Sequence, residues 1–250
     1  MMKELWEACA VAFSMYSAIP VPQVEWNKKN MRYCMCFFPA VGLVIGLIEL
    51  LWARVCMVHF GTLMRVVVQV LIPVAVTGGI HLDGLLDTAD AAAAHATPEK
   101  RREILKDSRC GAFAVLACVC YFLLSLAAWS EMVPDKMPAA VLIPVVSRAL
   151  SAYALMRFPK AAGSGLAKTF SDAAMTYTVA RVSSVTAGAG MVLLVWFDHR
   201  GGAVAAVLAL VCLRIYRRRS ERDFGGLTGD LAGCFLQMTE LAMLLGLALV

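Results

Sequence analysis

Hydrophobic residues along this chain come in long blocks, and polar residues are gathered into the gaps between them. Blocks close to the ~20 residues that a helix needs to traverse hydrocarbon cover Tyr33–Ala53, Val66–Leu86, Gly111–Ser130, Met137–Met156, Val179–Phe197 and Leu231–Val250, with a shorter one at Gly202–Tyr216. In lipid every backbone N–H and C=O must be paired within the chain, so such blocks fold as helices. The pattern predicts an all-α, polytopic membrane bundle of six to seven transmembrane helices, one membrane-embedded domain over residues 1–250. The apolar stretch Leu5–Ile19 is too short to span comfortably and is expected as an interfacial or re-entrant helix. A secretory signal is the rival reading, but only Lys3 supplies a basic start and no small-residue cleavage site follows.

Composition agrees with a membrane solvent. The chain is 60% hydrophobic and only 16% charged, with mean hydropathy +0.72; a soluble domain of this length would carry more charge. Nine cysteines, an odd number, sit mostly inside apolar runs. That is the usage of small buried hydrophobes, and the pairs Cys34/Cys36 and Cys118/Cys120 have C-x-C spacing, not the C-x-x-C of zinc or redox sites.

Loop charge sets an orientation. Alternate connecting segments, 20–32, 95–110, 157–178 and 214–229, hold 16 basic residues, whereas 54–65, 131–138 and 198–202 hold only Arg54, Arg65, Lys136 and Arg200. By the positive-inside rule the first set is cytoplasmic. The net charge of +5 is then mostly topological. Bases that alternate with spans make no single patch for nucleic acid, and none is expected as a partner.

The second block runs into "GGIHLDGLLDTADAAAAH". At helical geometry Asp83, Asp87 and Asp90 fall within about 60° of one another, at the expected inner end of a span leaving the membrane near Leu86. Each ionised Asp costs on the order of 2.5–3.5 kcal/mol at a bilayer centre, less near the interface, and like charges on successive turns repel. A divalent cation removes both penalties; hard oxygens with room for water and phosphate suit Mg²⁺ or Mn²⁺. Gly78, Gly79 and Gly84 would allow close approach of a substrate or backbone. His81 and Thr88 are candidate outer partners.

Other polar groups belong to the same side. Lys106, Asp107, Ser108 and Arg109 precede the third span, with Ser108 or Asp107 as the expected helix cap and Arg109 and Lys106 as candidate phosphate clamps. Arg148, mid-span beside Ser147, should face the bundle interior toward acids or a phosphate. Glu49 lies nearer the outer side. In "FGGLTGDLAG", Thr228 and Gly229 open the last span in a turn suited to an anion, and Asp230 could add a metal ligand. The segment 157–178 is a further Gly/Ser-rich inner loop with lysines. Acidic, basic and glycine-rich elements thus converge on one face, as metal-assisted chemistry on a phosphorylated substrate requires.

The motifs "GGIHLDGLLDTAD", "KDSRCGAFAVLA", the mid-span "SR" and "GGLTGDLAG…TEL", in this order, with "IPVP" and "FFPAVGLVIG" before them, resemble the cobalamin synthases, the adenosylcobinamide-GDP ribazoletransferases, over nearly the whole chain. The resemblance implies an integral membrane enzyme of the last stage of nucleotide-loop assembly. It would join adenosylcobinamide-GDP to α-ribazole or its 5′-phosphate with Mg²⁺, releasing GMP. It also implies roles for His81, Asp83, Gly84, Asp87 and Asp90; for Asp107, Ser108, Arg109 and Gly111; and for Arg148, Thr228, Gly229, Asp230 and Glu240. Ala91 stands where that family usually has Gly, and Gln237 where it usually has Glu, which leaves Glu240 as the stronger carboxylate. Such a displacement at phosphorus assigns Asp83 and Asp87 to metal, Asp90 to metal or general base, and Arg109 and Lys106 to phosphate.

Two rivals are weaker. A membrane CDP-alcohol phosphotransferase would need D-x-x-D-G-x-x-A-R, and Leu82-Asp83-Gly84 lacks its first Asp. An ion-coupled transporter would place its acids at the midplane, often within an internal repeat, and no repeat is visible. Membrane lipid is the expected surrounding partner, and the oligomeric state is left open.

Overall fold

The computed structural model describes residues 2–56, 59–162 and 174–250. Regular structure among them is entirely helical, apart from one isolated bridge between Lys160 and Leu227. A short helix α1, Met2–Tyr16, is followed by one turn, α2, Lys28–Met31, whose Asn27 and Asn30 cap each other. Then come α3, Phe38–Cys56; α4, Thr62–Thr77; α5, Ile80–Ala93; α6, Pro98–Ile104; and α7, Ala112–Ser130. The rest is α8, Met137–Ala140; α9, Ile143–Arg157; α10, Thr176–Phe197; α11, His199–Phe224; and α12, Gly229–Ala248.

Six of these are long and apolar enough to cross a membrane: α3, α7, the stretch Pro134–Arg157 containing α8 and α9, α10, α11 and α12. The α8–α9 stretch is the axis of the bundle, with 83% of its window buried, whereas α7 has only 17% buried and turns most of its surface to the surroundings. Around that axis pack α3, α10 and α12. The expected short span Gly202–Tyr216 is part of a 26-residue helix. Its arginine-rich end continues past the apolar block and is held on its exposed face by Arg217–Glu221 at 2.9 Å, one helical turn apart.

The second expected span is not one helix. The block Val66–Leu86 breaks at Gly78–Gly79, and α4 and α5 are bent by 96° from one another. Both glycines adopt left-handed backbone, φ +65° and +78°, which a side chain with Cβ resists. The freed groups are satisfied locally: Gly79 N–H donates to Val74 O at 3.1 Å, and Ala18 N–H, from the chain leaving α1, donates to Val76 O at 2.7 Å. Counting residues along a straight helix therefore misplaces the acids. They ride on a separate helix packed against α7 and α12.

The charge alternation is borne out as geometry. At one end, Arg102 Nη1 donates to Phe224 O at 2.6 Å and Arg101 lies 3.9 Å from Asp223. At that end too, Leu227 N–H donates to Pro159 O at 2.9 Å and Met175 N–H to Arg32 O at 3.1 Å. At the other end Lys136 Nζ meets Leu247 O at 2.7 Å and Asp198 at 3.6 Å. Each set of alternate segments thus gathers at its own end. All nine cysteines are free thiols, as their placement in apolar runs implied.

Gly79 has no neighbour within 4 Å of an added Cβ, so Gly79→Ala isolates the backbone cost of the break. It should destabilise the protein by about 1–2 kcal/mol, read as a lowered melting temperature in detergent; an unchanged melting temperature would show that the bend does not need left-handed backbone.

Candidate functional site

The acidic helix α5 turns two faces to different environments. Its inner face, His81, Gly84, Leu85, Thr88 and Ala91, is buried; Asp83 is exposed and Asp87 and Asp90 are half-buried. Gly84 is where α12 comes closest: a Cβ there would stand 2.6 Å from the Asp230 carbonyl oxygen. The reading of Gly84 as a point of close backbone approach holds, whereas Gly78 and Gly79 serve the turn. This contact carries Asp230, in the first turn of α12, to the acidic strip. Asp83, Asp90 and Asp230 all lie within electrostatic reach of Asp87.

Asp90 has a structural partner that the spacing did not reveal. The N-cap of α7 is Gly111, which has no side chain to satisfy the helix's first N–H groups. Asp90 supplies it from 21 residues away: Oδ2 accepts from Gly111 N–H at 2.7 Å and Oδ1 from Ala114 N–H at 2.9 Å. A carboxylate at a helix N-terminus is also favoured by the helix dipole. The expected cap by Ser108 or Asp107 is corrected accordingly.

Asp107 turns to Arg109 instead. Arg109 Nε donates to Oδ1 at 3.0 Å, Nη2 to Oδ2 at 2.6 Å, and the Arg109 backbone N–H to Oδ1 at 3.1 Å. Arg109's hydrogen bonds hold the Asp107 carboxyl down at about 2. Ionised Asp107 therefore keeps this fork above its ordinary pKa, and the fork is lost only as pH falls through about 2. The Arg109 side chain remains 87% exposed and retains donors for a phosphate. Asp87, Asp90, Asp107, Arg109, Gly111 and Phe113 surround one open cleft of about 420 Å³. Carboxylates and a guanidinium from two separate motifs thus share a single space. Lys106 and Ser108 are exposed beside it.

Other expected site residues lie elsewhere. His81 is buried between Tyr16 and Phe38, with ring centroids 6.1 and 5.8 Å away, and neither ring nitrogen has a hydrogen-bond partner among the described residues. Arg148, 1% exposed, meets Glu240 Oε1 at 2.6 Å and Pro144 O at 3.1 Å and lies over the Phe38 ring. Ser147 donates to the same Glu240 oxygen at 2.6 Å. Arg148 and Glu240 are therefore each other's partners inside the bundle, beside Glu49, and not part of the cleft. Gln237, where a carboxylate was expected by resemblance, accepts a hydrogen bond from Tyr121 OH.

The glycine turn is mostly spoken for. Gly226 N–H donates to Ser220 O, Leu227 N–H to Pro159 O, and Leu231 N–H to the Thr228 hydroxyl that caps α12. Gly229 is exposed with open space around it. Arg101 and Arg102, two of the bases counted in the 95–110 segment, clip α6 to the end of α11 just before this turn. Their signal was their position in a basic run, which does not distinguish a clip from an anchor. Of the Gly/Ser-rich loop 157–178, residues 163–173 lie outside the described residues, Lys168 among them.

A bundle of membrane-crossing helices, with carboxylates and one guanidinium around a cleft at its basic end, defines an integral membrane protein. The chain belongs to the cobalamin-5-phosphate synthase family, whose profile matches residues 8–248. It is 37% identical to the adenosylcobinamide-GDP ribazoletransferase of Lachnoclostridium phytofermentans, over all of this chain and 94% of that one. It is 32% identical to the protein of the same name from Desulfitobacterium hafniense, over 98% and 96% of the two chains, and 28% identical to that of Clostridium perfringens over the full length of both. No solved structure matches it.

The two roles of buried charge separate by mutation. Glu240→Ala leaves Arg148 unpaired in the core and should cost roughly 3–5 kcal/mol of stability, seen as a large fall in melting temperature. Asp90→Asn removes charged acceptors from the start of α7 at a cost of roughly 1.5–3 kcal/mol. Exchange of the Gly111 and Ala114 amide protons should accelerate in Asp90→Asn and stay slow in Asp83→Asn; equal protection in both variants contradicts the Asp90 tie.

Proposed function

We propose that this chain transfers the adenosylcobinamide-phosphate moiety of adenosylcobinamide-GDP to α-ribazole or its 5′-phosphate, giving adenosylcobalamin or its 5′-phosphate and GMP. Family membership along nearly the whole chain supports the reading. The observation that carries it to residues is the cleft in which the α5 carboxylates face Arg109. A ribose hydroxyl oxygen attacks the phosphorus on the cobinamide side, the bridging P–O bond breaks, and GMP leaves with the bridging oxygen.

Mg²⁺ suits the donor set, and Mn²⁺ is the alternative. Among the described residues no three His, Cys, Asp or Glu side chains converge as a closed ligand group. One or two carboxylates completed by water and phosphate is how Mg²⁺ is usually held. Asp83 and Asp230, within electrostatic range of one another, would hold it; bound there it would neutralise charge developing on the leaving phosphate, and Asp87, assigned to metal from sequence, is left to act as the base. Arg109 offers its remaining donors to non-bridging oxygens while Asp107 holds its orientation. Asp90 keeps α7 against α5. Asp87 lines the cleft and accepts no hydrogen bond from a described residue, which supports it, in place of the Asp90 expected from sequence, as the carboxylate that takes the hydroxyl proton.

The cleft lies at the basic end of the bundle, which supports an active site facing the cytoplasm of a bacterial inner membrane. A cysteine-reactive or epitope tag after Lys100 should be shielded in intact cells and one after Pro134 accessible; the reverse result places the cleft outside. Purified protein given adenosylcobinamide-GDP and α-ribazole should release GMP in a Mg²⁺-dependent reaction. Asp87→Asn should lower kcat by a factor on the order of 10²–10⁴ with membrane insertion unchanged. Arg109→Lys should lower kcat more than it raises KM, because the forked donor is lost while positive charge remains. Release of GDP in place of GMP would rule out attack at the cobinamide-side phosphorus.

A further inference from the structure

A second cavity, of about 430 Å³, lies at the end of the bundle opposite the acidic strip, among the end of α3, the start of α4, the end of α7 and the turn leading to α8. We propose that it binds the headgroup of a zwitterionic aminophospholipid, with Arg54 and Arg65 taking the phosphate and Asp135 the primary ammonium.

Charge is the first argument. The segments at this end carry only Arg54, Arg65, Lys136 and Arg200 as bases, and two of the four line this one cavity. Lys136 is committed to Asp198 and Leu247. Arg65 keeps a hydrogen bond to the Thr62 hydroxyl at 3.1 Å, and together with Arg54 it gives this cavity a positive charge that suits an anion.

The pairing pattern is the second. Arg54 and Asp135 line the same cavity, yet neither makes a hydrogen bond or ion pair with any described residue. Opposite charges held apart across one space suit a ligand that carries both charges. A primary ammonium gives Asp135 both a countercharge and N–H donors, whereas a quaternary choline brings the charge without donors and a glycerol end brings hydroxyl donors without the charge.

Position and size agree. The cavity is at the ends of spanning helices, the level at which headgroups lie, and Trp129 lines it while Trp52 Nε1 donates to the Arg65 carbonyl at 2.9 Å. Tryptophan is favoured at that depth because its ring is apolar and its N–H polar. The volume is within the range of small-molecule sites and suits a headgroup, with acyl chains remaining in the bilayer along Ala53 and Val66.

The test is lipid retention by the full chain. Protein equilibrated with equimolar phosphatidylethanolamine, phosphatidylglycerol and phosphatidylcholine in mixed micelles is analysed by native mass spectrometry. The wild type should hold one phosphatidylethanolamine in preference to the other two. Arg54→Gln should lower its retention about tenfold, the loss expected for a hydrogen-bonded charge. Asp135→Asn should abolish the preference over phosphatidylglycerol. The charge-conserving Arg54→Lys and Asp135→Glu should keep binding and preference, and helicity by circular dichroism should match across all five proteins. Equal retention of the three lipids, a preference for phosphatidylglycerol or phosphatidylcholine, or substitutions without effect overturn the proposal. None of these readouts depends on transferase activity.

Discussion

Backbone hydrogen bonding in a solvent that offers none is the constraint on which the rest of this structure depends. It forces each apolar block into a helix and makes any interruption expensive. The chain bends by 96° inside such a block at Gly78–Gly79, and covers the cost locally. The glycines take left-handed backbone, Gly79 N–H returns to Val74, and Ala18 N–H reaches across to the Val76 carbonyl. Without that bend the acidic residues would continue a straight span. With it they lie on a helix pressed against the openings of α7 and α12.

From the bend follows a division of labour among acids that look alike in sequence. Asp90 is spent on the N-terminus of α7, where Gly111 leaves N–H groups without a cap. Asp107 is spent on orienting Arg109. Asp87 is left facing the cleft, with Asp83 and Asp230 in electrostatic range. The same economy governs the core: Glu240 and Arg148 answer one another and Ser147, so a charge that could have faced substrate is instead internal to the bundle. Small local ties of this kind also fasten α6 to α11, fixing the entry to the glycine turn that carries Asp230.

The two ends of the bundle differ in chemical character. The basic end holds an open cleft lined by acids and one arginine, suited to a phosphorylated substrate that arrives and leaves through water. The sparsely charged end holds a cavity lined by both positive and negative groups, the site proposed for a lipid headgroup. Loop charge tells the two ends apart, and helix packing decides which groups meet at each.

The amino-acid sequence by itself determined the helical class, the spans, the grouping of alternate loops at two ends and the acidic strip with its basic neighbour. These follow from local physics: apolar length, charge asymmetry and helical periodicity act over a few turns. Family resemblance, carried by whole motifs, was legible for the same reason. Only the tertiary structure decided that Val66–Leu86 is two helices, because a Gly-Gly pair permits left-handed backbone without requiring it. Only it decided that Asp90 caps a helix 21 residues away, that Arg148 belongs to Glu240, and that His81 sits among aromatic rings. Side-chain type announces that a buried charge or donor needs a partner; which partner it finds depends on which helices touch, and that is set by packing across the whole bundle.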